Sequence, residues 1–151
     1  MPDSSVIPKG SGTKVRLFFP YPYFSLRDRQ KLKKFIESIF RKERKKLRTL
    51  NYIFSSDKAL LEINRQYLGH DYYTDIISFD LSEDDSTIGE VHISIERVRD
   101  NAAQFKNSFK QELLRVIFHG ALHLCGFKDK TSQDQVKMRK KENYYLDQFS
   151  A

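Results

Sequence analysis

The sequence predicts an α+β fold: a small mixed β-sheet of about four strands packed with about five helices around a central apolar helix. Three observations predict it. Runs with the two-residue alternation of strands are interspersed with runs at the 3.6-residue period of helices. They do not follow the strict strand–helix–strand repeat of a doubly wound sheet. At 151 residues, 39% hydrophobic and 13% aromatic, the chain is sized for one domain with its own core.

Taken in order, residues 1–14 carry Pro2, Pro8, Gly10 and Gly12 among small polar residues and no apolar run. That composition predicts a flexible tail and no signal peptide, with a single domain over 15–151. Residues 15–19 (VRLFF) form a short β-favouring run closed by Pro20 and Pro22. A long amphipathic helix follows, with Leu32, Phe35, Ile36, Ile39, Phe40 and Leu47 on one face. Its other face holds Arg29, Lys31, Lys33, Lys34, Arg41, Lys42, Arg44, Lys45 and Lys46, which reads first as a solvated surface and second as an RNA-binding one. Residues 52–54 are a second strand, and Ser55 or Ser56 caps a helix that ends near Gly69. Residues 75–79 (DIISF) and 88–95 (IGEVHISI) are the clearest strands, joined by an acidic turn over 82–86. Helices over 97–109, broken around Asn107, over 111–125, stopped by Gly126, and over 131–149 complete the chain. The last carries Met138, Glu142, Tyr145, Leu146 and Phe149 on one side.

Composition narrows the function. Net charge is +7, from 27 Lys and Arg against 20 Asp and Glu, a balance that attracts polyanions by counterion release. No stretch approaches a membrane span of about 20 apolar residues. The single cysteine, Cys125, cannot form an internal disulfide and suits a reducing cytoplasm.

The informative segment is 119–129, HGALHLCGFKD. His119 and His123 lie one helical turn apart on the same face, so both imidazoles can meet one ion about 2.0–2.1 Å from each nitrogen. Gly126 lets the chain turn back, and Asp129 then becomes a third ligand out of reach of the helix itself. Two histidines and a carboxylate leave a coordination position for water, as in a catalytic Zn2+ site, where the ion lowers the pKa of that water towards about 7. The alternative is a pair of hydrogen-bonded core histidines.

These residues resemble the signature of the YbeY endoribonucleases, His-Gly-x-x-His-x-x-Gly-x-x-(His or Asp). Residues 64–79 (NRQYLGHDYYTDIISF) are similar to that family's Asn-x-x-Tyr-Arg-x-x-Asp-x-Pro-Thr-Asp-Val-Leu-Ser-Phe block, and Gly89-Glu90-Val91 to its Gly-Asp-Ile strand. The resemblance covers about residues 15–149. It implies a small bacterial zinc-dependent, single-strand-specific endoribonuclease of the cytoplasm. Its partners would be ribosomal RNA and the ribosomal small subunit, its role rRNA maturation and ribosome biogenesis. Three positions depart from the pattern. Asp129 stands where the family usually has His, which makes the site more anionic. Leu68 stands where it has Arg, removing one candidate for stabilising phosphoryl charge. Tyr73 stands where it has Pro.

Other residues bound the reading. Gly120 occupies the place where zinc peptidases of the His-Glu-x-x-His type carry their general base, which disfavours a peptidase. A second rival is a ribosome- or RNA-associated binding protein with a structural zinc. Lys128 and Lys130 bracket Asp129 and are the expected RNA-phosphate contacts. Glu112, two turns before His119, is expected to be structural or at the surface. His70 is expected in an exposed loop, and Cys125 as a buried thiol. His92, on the polar side of its strand, is expected either to line the cleft or to be exposed, and the strand 88–95 to form one rim above the metal.

Overall fold

A computed structural model describes residues 13–151. Most of the expected tail lies outside the described residues, but Lys14 is tied down. Its N–H donates to Glu37 Oε1 at 2.7 Å and its carbonyl accepts from Leu50 N at 2.8 Å.

The elements run β1 (Val15–Phe18), α1 (Arg29–Lys42), β2 (Lys46–Ser55), α2 (Asp57–Leu68), β3 (Ile76–Asp80), β4 (Ser86–Ser94), α3 (Ile95–Gln104), α4 (Phe109–Leu124) and α5 (Ser132–Ser150). The sheet is mixed, in the order β1-β2-β4-β3. β2 pairs in parallel with both β1 and β4, and β3 runs antiparallel to β4. The expected four strands and five helices of an α+β fold are all present. The first half holds one feature that the pattern did not suggest: β1, α1 and β2 form a parallel crossover, because a parallel neighbour can be reached only by a long connection.

Two boundaries shift for local reasons. The first helix ends at Lys42, not near Leu47. Arg44 adopts a left-handed backbone (φ 59°), and Lys45 N donates to Phe40 O, closing the helix. Lys46 and Leu47 therefore open β2. Leu47 satisfies the helical period and the strand period alike, so spacing alone could not assign it. The third helix starts earlier, at Ile95, because the Ser94 side chain caps it by accepting from Arg97 N at 3.1 Å. It ends at Gln104, just before the expected break.

The core lies between the sheet and α1, α4 and α5. Phe40, Leu50, Tyr52, Phe54, Ile93, Ile117 and Phe118 are fully buried there, each contributing about 1.5–3 kcal/mol by burial. Tyr52 adds a polar strut, its hydroxyl donating to Ile117 O at 2.7 Å, which ties the sheet to α4. Gly120 sits where α4 crosses the sheet. A Cβ there would come within 3.1 Å of both Ile76 and Val91, so the absence of a side chain lets helix and sheet meet.

Strand alternation then decides the faces of β4. Val91 touches α4, so Glu90 and His92 lie on the opposite face, towards α2. Both are buried. His92 Nε2 is 2.6 Å from Glu90 Oε1, and its ring packs edge-on against Phe79. His92 is thus neither cleft-lining nor exposed, and β4 does not form the rim above His119. A period of two read from sequence marks two faces but not which is wet; here both are covered.

Candidate metal centre and its cleft

α4 carries the site because it is the most apolar helix and packs against the sheet on one side and α5 on the other. Ser108 caps its start, accepting from Gln111 N at 3.0 Å. At its end Cys125, Gly126 and Phe127 N–H groups bond back to the last carbonyls, and Gly126 takes φ 105°. No atom crowds Gly126, so its requirement is the backbone angle and not space. The chain then turns back, and Gln135 Nε2 holds the returning loop by donating to Asp129 O at 3.0 Å.

This turn brings Asp129 to His119: Oδ2 lies 3.1 Å from Nε2. On the other side of the ring, Nδ1–H donates to Glu142 Oε2 at 2.7 Å. Two metal–donor bonds of about 2.0–2.1 Å at a tetrahedral angle separate their donors by about 3.3 Å, so the pair fits two corners of a zinc site. The Glu142 bond fixes the ring and the tautomer that leaves Nε2 free to ligate, the usual carboxylate–histidine–metal relay. His123 stands one turn further on with its side chain exposed. Among the described residues no group of three His, Cys, Asp or Glu side chains is gathered at metal-binding separation; the assembled pair is His119 and Asp129.

The electrostatics of the pair are consistent with this reading. Burial disfavours an imidazolium at His119. The hydrogen bond and charge of Glu142, then Asp129 and Asp75, outweigh it and hold its pKa above the usual value. Burial likewise opposes ionisation of Glu142, but its bonds to His119 and Arg115 prevail and hold it low. Asp75 and Glu112 have no such partner charge close enough to prevail, and burial pushes both up.

Around His119 is a cleft of about 730 Å³, walled by α4, α5 and residues 74–76. Its carboxylates are Asp75, Glu112, Asp129 and Glu142, and its cations are Arg115 and Arg139. Carboxylates therefore outnumber guanidinium groups around His119, an arrangement that favours a bound cation. Arg115 bonds Glu142 Oε1 at 3.0 Å and is 14% exposed; Arg139 is 3.7 Å from the same oxygen and 62% exposed. Arg139 is therefore the cleft cation open to an incoming anion. Ser94 N donates to Asp75 O at 2.9 Å, fixing the start of β3 as the cleft's rim.

Several expected residues lie where the sequence suggested. His70 is exposed, stacked on Tyr72 with its Nδ1 2.9 Å from that hydroxyl. Lys128 and Lys130 are exposed on the loop either side of Asp129, outside the cleft lining. Leu68 ends α2, 44% exposed, and Arg65 pairs with Asp71. Glu112 differs from a surface role: it is buried in the cleft wall, with Oε2 unpartnered. Cys125 is buried, and desolvation, with the charge of Glu43, pushes its thiol up to about 12. At pH 8 the native protein should therefore react with iodoacetamide on the order of a hundredfold more slowly than the unfolded chain. Equal rates would show Cys125 to be accessible.

Glu142, Arg115, Arg139 and Asp75 were not singled out from the sequence. A signal existed for Glu142, a carboxylate on the apolar side of the last helix, where a lone charge needs a partner.

Comparison with known proteins places this architecture. The family model described as "Endoribonuclease YbeY" matches residues 24–150. A protein named Endoribonuclease YbeY from Flavobacterium psychrophilum is 48% identical over 126 residues, 83% of this chain and 90% of that protein. One of the same name from Cytophaga hutchinsonii is 49% identical over 124 residues, 82% of this chain and 87% of that protein. The solution structure of TM1509 from Thermotoga maritima superposes with a TM-score of 0.63 at 30% identity, covering 89% of this chain and 88% of that one.

Proposed function

The chain belongs to the YbeY endoribonuclease family, and from that premise we propose that it is a zinc-dependent, single-strand-specific endoribonuclease. Its work would be ribosomal RNA maturation in the cytoplasm, at the ribosomal small subunit. The observation that carries the proposal is His119, held by Glu142 on one nitrogen and facing Asp129 with the other, inside a cleft whose carboxylates outnumber its arginines.

His119, His123 and Asp129 would hold one zinc ion per chain, which when bound supplies Lewis acidity and an acidified water. Everything else is done by the chain. Glu142 orients His119, and Arg115 keeps Glu142 in place. Arg139 lines the cleft, and Lys128 and Lys130 are exposed on the loop either side of Asp129; together they would hold the RNA phosphates flanking the reacting one. Arg139 also offers the guanidinium that Leu68 does not supply. The peptidase alternative finds no support, since Gly120 supplies no general base and packs tightly against Ile76 and Val91.

The test is cleavage of single-stranded and duplex RNA, and of casein, by purified protein with and without chelator. Cleavage confined to single-stranded RNA, abolished by chelator and restored by zinc, is the expected result. Chelator-insensitive cleavage, or hydrolysis of casein alone, would overturn the proposal.

A further inference from the structure

A second cavity lies on the flank of α5 turned away from the metal cleft. It encloses about 710 Å³ and is lined by Lys42, Lys137, Lys140 and Lys141, with Glu43 as its one carboxylate. Glu43 is already engaged: it accepts from Lys141 Nζ at 2.9 Å and from the Tyr145 hydroxyl. Among the described residues Lys42, Lys137 and Lys140 have no carboxylate within ion-pair distance. Aromatic rings are interleaved with these cations. Tyr144 is 47% exposed, with Lys42 Nζ 5.9 Å from its ring centroid, and Lys141 Nζ lies 5.5 Å from that of Phe127.

The groove and the cleft both border the loop that follows α4. Phe127 lines the groove and Asp129 lines the cleft, so at most about 7 Å of chain separates the two, with exposed Lys128 between them. Unpaired cations beside an exposed aromatic side chain are what a single strand requires, phosphates meeting the lysines and bases stacking on the rings. An acidic peptide would use the lysines and leave Tyr144 idle.

We propose that the groove formed by Lys42, Lys137, Lys140, Phe127 and Tyr144 is a second subsite for single-stranded RNA, engaging the strand after it leaves the metal cleft across Lys128. The proposal rests on the RNA reading of the cleft and extends it to a length requirement. A substrate too short to span both cavities would gain nothing from the groove.

The test uses the zinc-loaded protein and labelled oligouridylates of three and twelve residues, with anisotropy read before measurable cleavage. Lys137→Ala/Lys140→Ala should weaken the twelve-residue RNA about tenfold at 0.15 M salt and flatten its salt dependence by about 1.4 units of slope, at roughly 0.7 per phosphate contact. Tyr144→Ala should weaken it about fivefold or more through lost stacking. Neither variant should change affinity for the three-residue RNA. The charge-matched control Lys34→Ala/Lys58→Ala should show a much smaller loss.

Equal losses in the groove and control variants, or equal losses for both RNAs, would overturn the subsite. So would a lysine effect without a Tyr144 effect, which would fit an acidic protein partner instead. Wild-type protein that binds neither RNA would instead refute the RNA reading of the cleft, and the groove proposal with it.

Discussion

Glu142→Ala should destabilise the protein by about 3 kcal/mol, because it removes a buried carboxylate shared by two part-buried cationic partners. Glu142 is 6% exposed, and its two oxygens bond Arg115 and His119 at 3.0 and 2.7 Å. Removing it leaves the Arg115 guanidinium without its ion-pair partner and the His119 imidazole with Asp129 alone. For a chain of this size the loss corresponds to a fall in Tm of roughly 6–12 °C. Zinc affinity should drop about 10–100-fold as well, since the ring is no longer held. Glu142→Gln, which keeps a hydrogen-bond acceptor for one partner, should lose less of both.

The pair also has a pH signature in the metal-free protein. Glu142 has a lowered pKa, so its contribution is present above its ordinary value of 4.5 and is lost as pH falls through the folded value. His119 has a raised pKa, so its contribution is full below its ordinary value of 6.5 and is lost as pH rises through the folded one. The deficit of Glu142→Ala should therefore be largest between about pH 4.5 and 6.5. Urea melts across pH 3 to 9 in chelator check this; a deficit that grows steadily towards pH 9 would contradict the pairing.

His119→Ala should have the largest effect on activity, a loss of RNA cleavage on the order of a thousandfold or more. A metal's stabilisation of developing charge is worth several kcal/mol, and each 1.36 kcal/mol is tenfold in rate. Stability should change little beside Glu142→Ala, since His119 is only half-buried and the Arg115–Glu142 pair remains. Cleavage kinetics alongside a thermal melt separate the two effects. A variant that keeps wild-type rates would remove His119 from the reaction.

These residues show what a sequence discloses and what it hides. The approach of Asp129 to His119 was legible because the turn at Gly126 that ends the helix is a local property, whereas His123, one turn on, is not gathered with them. The strands over 76–80 and 86–94 and the apolar helix were legible for the same reason. What was hidden is tertiary. Leu47 fits a helix or a strand equally, and only the left-handed Arg44 settles which. Alternation offered His92 as cleft-lining or exposed, yet it is buried against Glu90 and Phe79. Glu142 lies 23 positions from His119, and its role follows only once α5 packs on α4. Arg139 enters the cleft by the same packing, and so escaped an expectation centred on the lysines beside Asp129.

The central claim is that one zinc ion is bound by His119, His123 and Asp129. Elemental analysis of metal content in the wild-type protein and in His119→Ala/His123→Ala, each shown to be folded by circular dichroism, tests it most directly. The account predicts one zinc per wild-type chain and close to none in the double variant. Stoichiometric zinc in a folded double variant would contradict it.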